Sequence, residues 1–397
     1  MGGAGQSEWQ WPKGQPHWTG PTGGPQVPFD EQTGLPLGWD EQADENGIFS
    51  QLFEMARVVY HDGACALPGS TIKYEPFVQI CRYAVHTGYV QEAVAERVLS
   101  WLRWGTDAGV QRSQLHGVRV FENYESALGE WRDKVTMALS ERVHLGKTLD
   151  LGPSPSVSAF REVACRVFLD SFVAPMLAVP KALEPDKVRP ATDHGITTLN
   201  DATDEEGLKH ELQAHRQISW LLRSGYVMHV SDVQNAFPIL PLTPWIWPFF
   251  FIRFFRQPRD QAIMDSMHLL AHIFADFGTR GLPGAFKLFF VDCVCGMARS
   301  LGVLTLPLVV HVDDTGLIGA SVRRVLPEMR RFQMWATALG VSFKELKDKV
   351  AAQIVLMIGF WWNSIDRTIC LDDGKRLPYM EMFKAFSVRA ALCLRER

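Results

Sequence analysis

The sequence predicts an α+β fold built from antiparallel strands and helices, and three observations support that prediction. Two apolar runs rich in β-branched residues, at 227–231 and 308–310, lie just before aspartates and have the composition of buried strands. A turn through residues 184–186 separates two further strand-like runs, which predicts a hairpin over 172–201. Elsewhere, as in residues 322–340, apolar residues recur every three or four positions, which is typical of amphipathic helices.

Length and composition indicate a chain with a sizeable core. The 397 residues could form roughly two or three domains, and 47% of them are hydrophobic. The net charge of −4 is unevenly placed, because residues 1–50 hold seven acids against one lysine, Lys13. That segment has a balance of −6, so residues 51–397 carry +2. Because phosphate contacts need clustered Lys and Arg rather than a basic chain, this charge is compatible with a local basic groove.

Cysteine usage and hydropathy predict an intracellular protein, in the cytoplasm or the nucleus, with no membrane partner. The seven cysteines are irregularly spaced, which favours reduced thiols. The N-terminus lacks an apolar signal core, and no run approaches the roughly 18 apolar residues of a membrane span. The most apolar stretch, 245–255, is interrupted by Pro248 and Arg253 and is predicted to be a buried strand.

Two segments precede residue 122. Residues 1–47 are rich in Gly, Pro, Gln and Trp and are predicted to be disordered, because such a segment cannot bury enough surface to offset its ordering entropy. Residues 48–121 show helical periodicity and are predicted to form a small helical accessory region. Neither segment contains recognisable chemistry.

The aspartates that follow the two apolar runs are the candidate catalytic residues. Asp313 and Asp314 lie at the predicted tip of a β-hairpin, where acids are most often solvated turn residues. Asp232 follows the other run, so two strands can bring three carboxylates to one sheet edge. Such a cluster would repel itself unless divalent cations neutralised it, and oxygen ligands suit Mg²⁺. Paired ions of this kind stabilise attacking and leaving oxygens in phosphoryl transfer, which suggests nucleotidyl transfer.

These motifs resemble the reverse transcriptases of retroelements, particularly gypsy-like and DIRS-like ones. Asp232 followed by Ala236-Phe237 and by Pro241-Leu242 resembles the family's first palm motif, and HVDD at 311–314 resembles its aromatic-x-Asp-Asp hairpin. The resemblance covers roughly residues 122–372. It implies a right-hand polymerase palm, an antiparallel sheet with helices, together with fingers.

The resemblance also implies the activity and its cofactors. The chain would be an RNA-directed DNA polymerase that extends a primer 3′-OH on an RNA or DNA template with dNTPs. Two Mg²⁺ ions, or Mn²⁺ in their place, would be held by Asp232, Asp313, Asp314 and the backbone of Val233.

Further residues are assigned to nucleotide binding by the same resemblance. Lys181 and Arg189 match the fingers hairpin and would contact the incoming triphosphate, although without the resemblance both are solvated hairpin charges. The backbone after Asp232 would lie beside the triphosphate; this set comprises Gln234, Asn235 and Ala236. Phe237 would pack against the sugar and exclude a 2′-OH, which predicts deoxynucleotide preference, or it is simply a core aromatic.

The turn around Gly284 resembles the family's "LPxG" motif, which holds template and nucleotide, and Gly284 is therefore a predicted nucleotide contact. Gly284-Ala285 departs from the family pattern, which usually has Gln or Phe and then Gly. Upstream, His268 and His272 have the spacing of helical metal ligands, but no Glu adjoins the first histidine, which disfavours a zinc site.

Two motifs follow the double aspartate. Residues 341–350 resemble the family's fourth motif, in which a lysine protonates the pyrophosphate leaving group; Lys347 is the candidate general acid, with a solvated lysine as the alternative. Residues 355–371 resemble the primer grip, which would comprise Gly359, Phe360, Trp361 and Trp362. Residues 373–397 are expected to be the truncated start of a thumb or connection.

Three functions remain open at this point. The first is a reverse transcriptase core. The second is a domesticated or decayed copy that binds nucleic acid or acts as a scaffold without polymerising, which is favoured by His311 in place of the usual aromatic and by Gly284-Ala285. The third is an RNA-templated RNA polymerase, which Phe237 disfavours. The sequence does not indicate the oligomeric state.

Overall fold

A computed structural model describes residues 27–181, 184–204, 208, 214–258, 267–344, 349–374, 376–377 and 380–381. Its described part combines helices with mainly antiparallel strands, and the predicted α+β class is confirmed. The helices are α1 (Ser50–Asp62), α2 (Tyr74–His86), α3 (Glu92–Trp104), α4 (Glu125–Leu128), α5 (Arg132–His144), α6 (Val157–Val167), α7 (Ala214–Leu221), α8 (Leu282–Phe286), α9 (Cys295–Ser300) and α10 (Val322–Ala338). A π-helical segment, Lys287–Val294, joins α8 to α9.

In the part of the chain that the structure describes, the strands form four sheets, of which three are wholly antiparallel. They are β1 (Val118–Val120), β2 (Thr148–Pro153), β3 (Ser171–Ala174), β4 (Met176–Lys181), β5 (Glu184–Thr192), β6 (Val227–Asp232), β7 (Phe251–Phe255), β8 (Met267–His272), β9 (Leu308–His311), β10 (Asp314–Gly319), β11 (Lys349–Ala352), β12 (Ile354–Met357), β13 (Phe360–Asn363) and β14 (Thr368–Leu371).

The two predicted aspartate-bearing segments pair in one sheet, which we call the aspartate sheet. Its strand order is β11-β6-β10-β9, and all neighbours are antiparallel. All six residues of β6 are buried, because the strand is central and both of its faces are covered. Met228 and Val230 pack in a cluster with the β12–β13 hairpin, whereas Val227 belongs to the main core. A strand that is buried on both faces therefore ends at Asp232.

The largest sheet has the strand order β1-β3-β7-β8-β2. Here β1, β3 and β7 are parallel, and β8 and β2 are antiparallel additions. The predicted strand over 245–255 forms only in its second half, as β7. Residues Pro244–Phe249 form a 3₁₀ helix instead, because Pro244 and Pro248 cannot donate to a ladder.

The predicted fingers hairpin forms as β4 and β5, which pair antiparallel from Met176 with Thr192 onward. Residues 182–183 lie outside the described residues, and residues 184–186, which were predicted to be the turn, belong to β5. The predicted primer-grip segment forms the antiparallel sheet β12-β13-β14.

The N-terminal half of the chain is continuous with this core. Residues of α1, α2 and α3 share one buried cluster with the π-helical segment and with α10. Phe77 of α2, for example, stacks on Phe289 at a ring separation of 5.8 Å. The helical region predicted over 48–121 thus packs directly against the π-helical segment, α9 and β2.

Order also begins earlier than the sequence predicts. Residues 1–26 lie outside the described residues, but residues 27–47 are packed, so the prediction of disorder to residue 47 was wrong for this stretch. Leu35 is 1% exposed, and Trp39 lies edge-on against Phe168 at 5.0 Å. These few large apolar contacts supply burial that the Gly- and Pro-rich composition does not suggest.

Within the described residues, no helix is long and apolar enough to be a candidate membrane span.

Candidate active site

The hairpin of β9 and β10 holds Asp313 in a tight turn. His311 pairs with Asp314, so Val312 and Asp313 are the two turn residues. Val312 has φ of 56°, which is a costly backbone conformation for a β-branched residue, and hairpins usually place glycine there. Such strain costs about 1–3 kcal/mol and is typical of functional sites.

The end of β6 is fastened to this turn, which brings Asp232 beside Asp313. Asp314 lies directly opposite Asp232 in the register of the two strands. One residue further, the Val233 N–H donates to the Asp313 carbonyl at 2.9 Å. The three predicted aspartates, from positions more than 80 residues apart in sequence, therefore meet at one end of the aspartate sheet.

Lys344 lies between two of these carboxylates. Its Nζ is 3.1 Å from both Asp232 oxygens and 3.9 Å from Asp313 Oδ2. The position follows from backbone pairing, because Phe343 bridges to Val233 and the Lys344 N–H donates to the Asp232 carbonyl at 2.9 Å. Burial raises the pKa of Asp313 to about 6, and the negative charges of Asp232 and Asp314 add to this effect. Lys344 thus offsets a carboxylate cluster that repels itself.

The chemical type of these ligands suits a hard divalent cation, because they are carboxylate oxygens. In the structure the Lys344 ammonium already lies between Asp232 and Asp313. Within the described residues, no group of three or more His, Cys, Asp and Glu side chains is arranged to hold a metal ion. The arrangement is a pair of carboxylates, Asp232 and Asp313, around one ammonium, with Asp314 on the neighbouring strand position.

A cavity of about 270 Å³ opens beside this pair, and we call it the aspartate cavity. Five residues predicted from the sequence line it: Arg189, Asn235, Ala236, Phe237 and Asp313. These come from the fingers hairpin, the segment after β6 and the β9–β10 turn. The structure therefore gathers the predicted fingers and palm residues around one space.

The other lining residues were not predicted as site residues, and they include Arg142 on α5, Phe277 and Lys344. The Arg142 guanidinium is buried, donates to the Ala275 carbonyl at 3.2 Å and leaves its Nε without a partner among the described residues. The basic and acidic groups thus lie in the walls of the same cavity.

Two aromatic rings form one wall of the aspartate cavity. Phe237 is 9% exposed and meets Phe277 edge-on at 5.3 Å. The next residue, Gly278, has φ of 118°, and a Cβ there would lie 2.0 Å from the Thr192 carbonyl oxygen. The backbone of β5 therefore fixes the turn that presents Phe277.

Some predicted residues lie elsewhere. Gln234 is exposed, and its N–H donates to the Ser342 carbonyl at 2.8 Å rather than facing the aspartate cavity. Gly284 is buried, and a Cβ there would lie 1.7 Å from the Leu208 carbonyl oxygen, so chain rather than open space adjoins it. Lys181 is described only as part of β4, and Lys347 lies outside the described residues.

The predicted primer-grip residues sit on the hairpin of β12 and β13. Gly359 occupies its turn with φ of 80°. Trp361 is 42% exposed, whereas Trp362 is 2% exposed and donates from Nε1 to the Met357 carbonyl at 3.2 Å. Met357 lies against Gly316 of β10, where an added Cβ would be 2.8 Å from its sulfur. The hairpin thus abuts the aspartate sheet with Trp361 outward and Trp362 in the core.

A buried polar cluster beneath the cavity was also missed. Asp276 accepts hydrogen bonds from Thr192 Oγ1 at 2.5 Å and Thr279 Oγ1 at 3.3 Å, and lies 3.3 Å from His194 Nε2 and 3.6 Å from His272 Nε2. Burial alone would raise the pKa of Asp276, but His194, His272 and Arg142 outweigh it and hold the pKa well below its usual range. The cluster joins the base of the fingers hairpin to the turn that carries Phe277.

The histidines considered as zinc ligands both lie on strand β8. His272 faces Asp276 and, through Nδ1, Thr148 Oγ1 at 2.8 Å, while His268 Nδ1 bonds to Asp150 at 2.8 Å. Burial lowers the pKa of His272 to about 3, and the Arg142 charge acts in the same direction. Each histidine therefore has its own carboxylate partner.

Solved structures similar to this chain include reverse transcriptases. The native protease-reverse transcriptase of prototype foamy virus matches at a TM-score of 0.43 and 15% identity, over 62% of this chain and 27% of that one. Its CSH mutant matches at 0.43 and 16%, over 68% and 31%. The foamy viral protease-reverse transcriptase dRH in complex with double-stranded DNA matches at 0.45 and 14%, over 75% and 47%.

The chain therefore spans less than half the length of these viral proteins. A scan against family models and a search of curated proteins each found no match. With such identities and TM-scores, the gypsy-like or DIRS-like resemblance stays a prediction from the motifs.

Proposed function

We propose that this chain is a nucleotidyltransferase of the reverse-transcriptase type, which adds deoxynucleotides to a primer 3′-OH on a nucleic-acid template. The observation that supports it most is the meeting of Asp232 and Asp313 at the rim of a cavity lined by Arg189 and Phe237. Carboxylates that need a cation, a basic group and an apolar wall are what a nucleoside triphosphate requires of its binding site.

Asp232 and Asp313, with Asp314 in support, are the residues that would hold Mg²⁺ or Mn²⁺. When bound, the metal would neutralise the charge that develops on the reacting phosphate. The carboxylates themselves are pre-positioned by the Val233–Asp313 hydrogen bond and the strained Val312 turn, so they need little rearrangement.

Other side chains have separate roles in the proposed reaction. Arg189, exposed on the cavity wall, and Arg142 provide positive charge for the triphosphate. Lys344 takes the role that the sequence analysis gave to Lys347: its ammonium is a proton donor for the pyrophosphate leaving group. Phe237, backed by Phe277, would press on the sugar and disfavour a 2′-OH.

Primer extension by the whole chain tests this proposal. The protein is incubated with a primed RNA template, a primed DNA template and dNTPs, with Mg²⁺ or Mn²⁺ in one set and EDTA in the other. Metal-dependent extension on either template would support nucleotidyl transfer, and RNA-templated extension would support reverse transcription. No extension at protein concentrations that saturate the template would contradict it.

The alternative is a protein that binds nucleic acid without polymerising. The Leu208 backbone lies directly against Gly284, so this turn has no open space for a template or nucleotide. This contact favours the function without polymerisation. Template binding that persists in EDTA, with no extension in any metal, would identify this function.

We expect Phe237→Ala to admit ribonucleotides. Removing the ring opens the cavity wall beside the sugar, so discrimination between dNTP and rNTP, measured as the ratio of kcat/KM values, should fall about 10-fold or more. Phe255→Ala, on β7 and outside the cavity, is the control and should leave the ratio unchanged. Unaltered discrimination in Phe237→Ala would remove this residue as the gate.

A further inference from the structure

A second cavity, of about 600 Å³, adjoins the aspartate cavity, and we call it the Lys147 cavity. The two cavities share Leu145 and Asn235 in their walls. The rest of the Lys147 cavity is formed by α1, by residues 68–71 and by residues 143–150. It therefore lies where the N-terminal helical region meets β2 of the largest sheet.

Lys147 is the unusual residue of this wall. It is 4% exposed, and its ammonium lies over the Phe274 ring at 4.1 Å. No described residue offers that ammonium a hydrogen-bond acceptor or a carboxylate. A buried ammonium without an acceptor is costly. Burial, together with the Arg142 charge, accordingly lowers the pKa of Lys147 to about 7.

The acid in the same wall does not compensate this charge. Asp150 accepts from Arg256 Nε at 2.6 Å and bonds to His268 Nδ1 at 2.8 Å, so its carboxylate is already engaged. Arg142, which lines the neighbouring cavity, leaves Nε unpartnered among the described residues. Arg142 has the Ala275 carbonyl and the nearby charge of Asp276, so Lys147 is the cation of this region that lacks a charged partner among the described residues.

We propose that the Lys147 cavity binds a phosphate-bearing anion, with Lys147 as its principal contact. The anion supplies the acceptor that the ammonium lacks, and the volume is within the range of small-molecule sites. The choice of pyrophosphate as a probe rests on the proposed function, because pyrophosphate would be the product released in the adjoining aspartate cavity. Binding itself requires no polymerase activity.

The test is calorimetric titration of the whole chain in EDTA, with pyrophosphate in one arm and a deoxynucleoside triphosphate in the other. Lys147→Met keeps the length of the side chain and removes its charge, so affinity should fall about 10- to 100-fold. Lys287→Met, which alters a half-exposed lysine paired with Asp292 elsewhere, should not change it. Loss confined to pyrophosphate identifies the free anion, and loss in both arms identifies a triphosphate tail.

A second variant keeps the test independent of any change in packing at Lys147. Gln51 is exposed at the start of α1 on the rim of the cavity, where an acid is tolerated in a helix. Gln51→Glu should weaken binding severalfold by repulsion. Affinities unaffected by both variants, or no heat of binding from wild type at millimolar anion, would overturn the proposal. The titration measures the heat of binding and not primer extension, so it tests the Lys147 cavity even if the polymerase assay shows no activity.

Discussion

Asp313→Asn is expected to reduce primer extension by about a thousandfold or more, because it removes charge that the proposed metal site needs in the transition state. The same change should not lower the free energy of unfolding. Asp313 is a partly buried carboxylate facing Asp232 and Asp314, and its raised pKa shows that its charge is unfavourable in the fold. Lost activity with retained stability is the signature of a catalytic rather than a structural acid.

The measurement is steady-state extension of a primed template beside thermal unfolding of the same preparations. Asp366→Asn is the matched control, since Asp366 lies in the exposed turn between β13 and β14. It should extend primers as wild type does. Extension by Asp313→Asn within tenfold of wild type would refute the catalytic role of this carboxylate.

Asp276→Asn should lower the free energy of unfolding by about 3–5 kcal/mol, which is the largest stability effect among the variants proposed for this protein. A loss of this size is typical when one member of a buried charged cluster is removed. Asparagine retains the shape of the side chain and can still accept from Thr192, so the loss reports charge. The buried Arg142 guanidinium would then lack its nearby negative charge, and His194 and His272 would lose their shared partner.

Denaturant unfolding measures this effect, with Asp373→Asn as the control. Asp373 pairs with Arg376 on the surface, where both side chains are more than half exposed, so its removal should cost under about 1 kcal/mol. Equal stability of the two variants would show that the Asp276 cluster is not the electrostatic link between fingers hairpin and turn that its geometry indicates.

Local patterns in the sequence were sufficient to predict the strands that carry the aspartates. One apolar run stops at Asp232, and a second is followed closely by Asp313 and Asp314. This pattern predicts a buried sheet with acidic residues at one end. The same motif contains three adjacent residues that line the aspartate cavity, which are Asn235, Ala236 and Phe237.

Contacts between distant segments were not predictable in this way. Lys344 and Lys347 are equivalent by pattern, and the pairing of Phe343 with Val233 places Lys344 beside Asp232; Lys347 lies outside the described residues, so its predicted role stays a prediction. The nearest signal was the Ser-Phe-Lys alternation, which is compatible with an added strand. The Asp276 cluster draws on the α5 helix, β5, β8 and a turn, so no single window of sequence contains it.

Gly340 lies at a close contact between the segment that precedes Lys344 and the segment that precedes α2. A Cβ at this position would lie 1.9 Å from the Thr71 carbonyl oxygen, and the Lys73 N–H donates to the Leu339 carbonyl at 3.1 Å. The loop before α2 therefore packs against the backbone at Gly340, which precedes Lys344 by four residues. A shortened protein beginning at residue 122 would lose this contact and the stacking of Phe77 on Phe289, so residues 27–104 are an integral part of the fold that carries the aspartates.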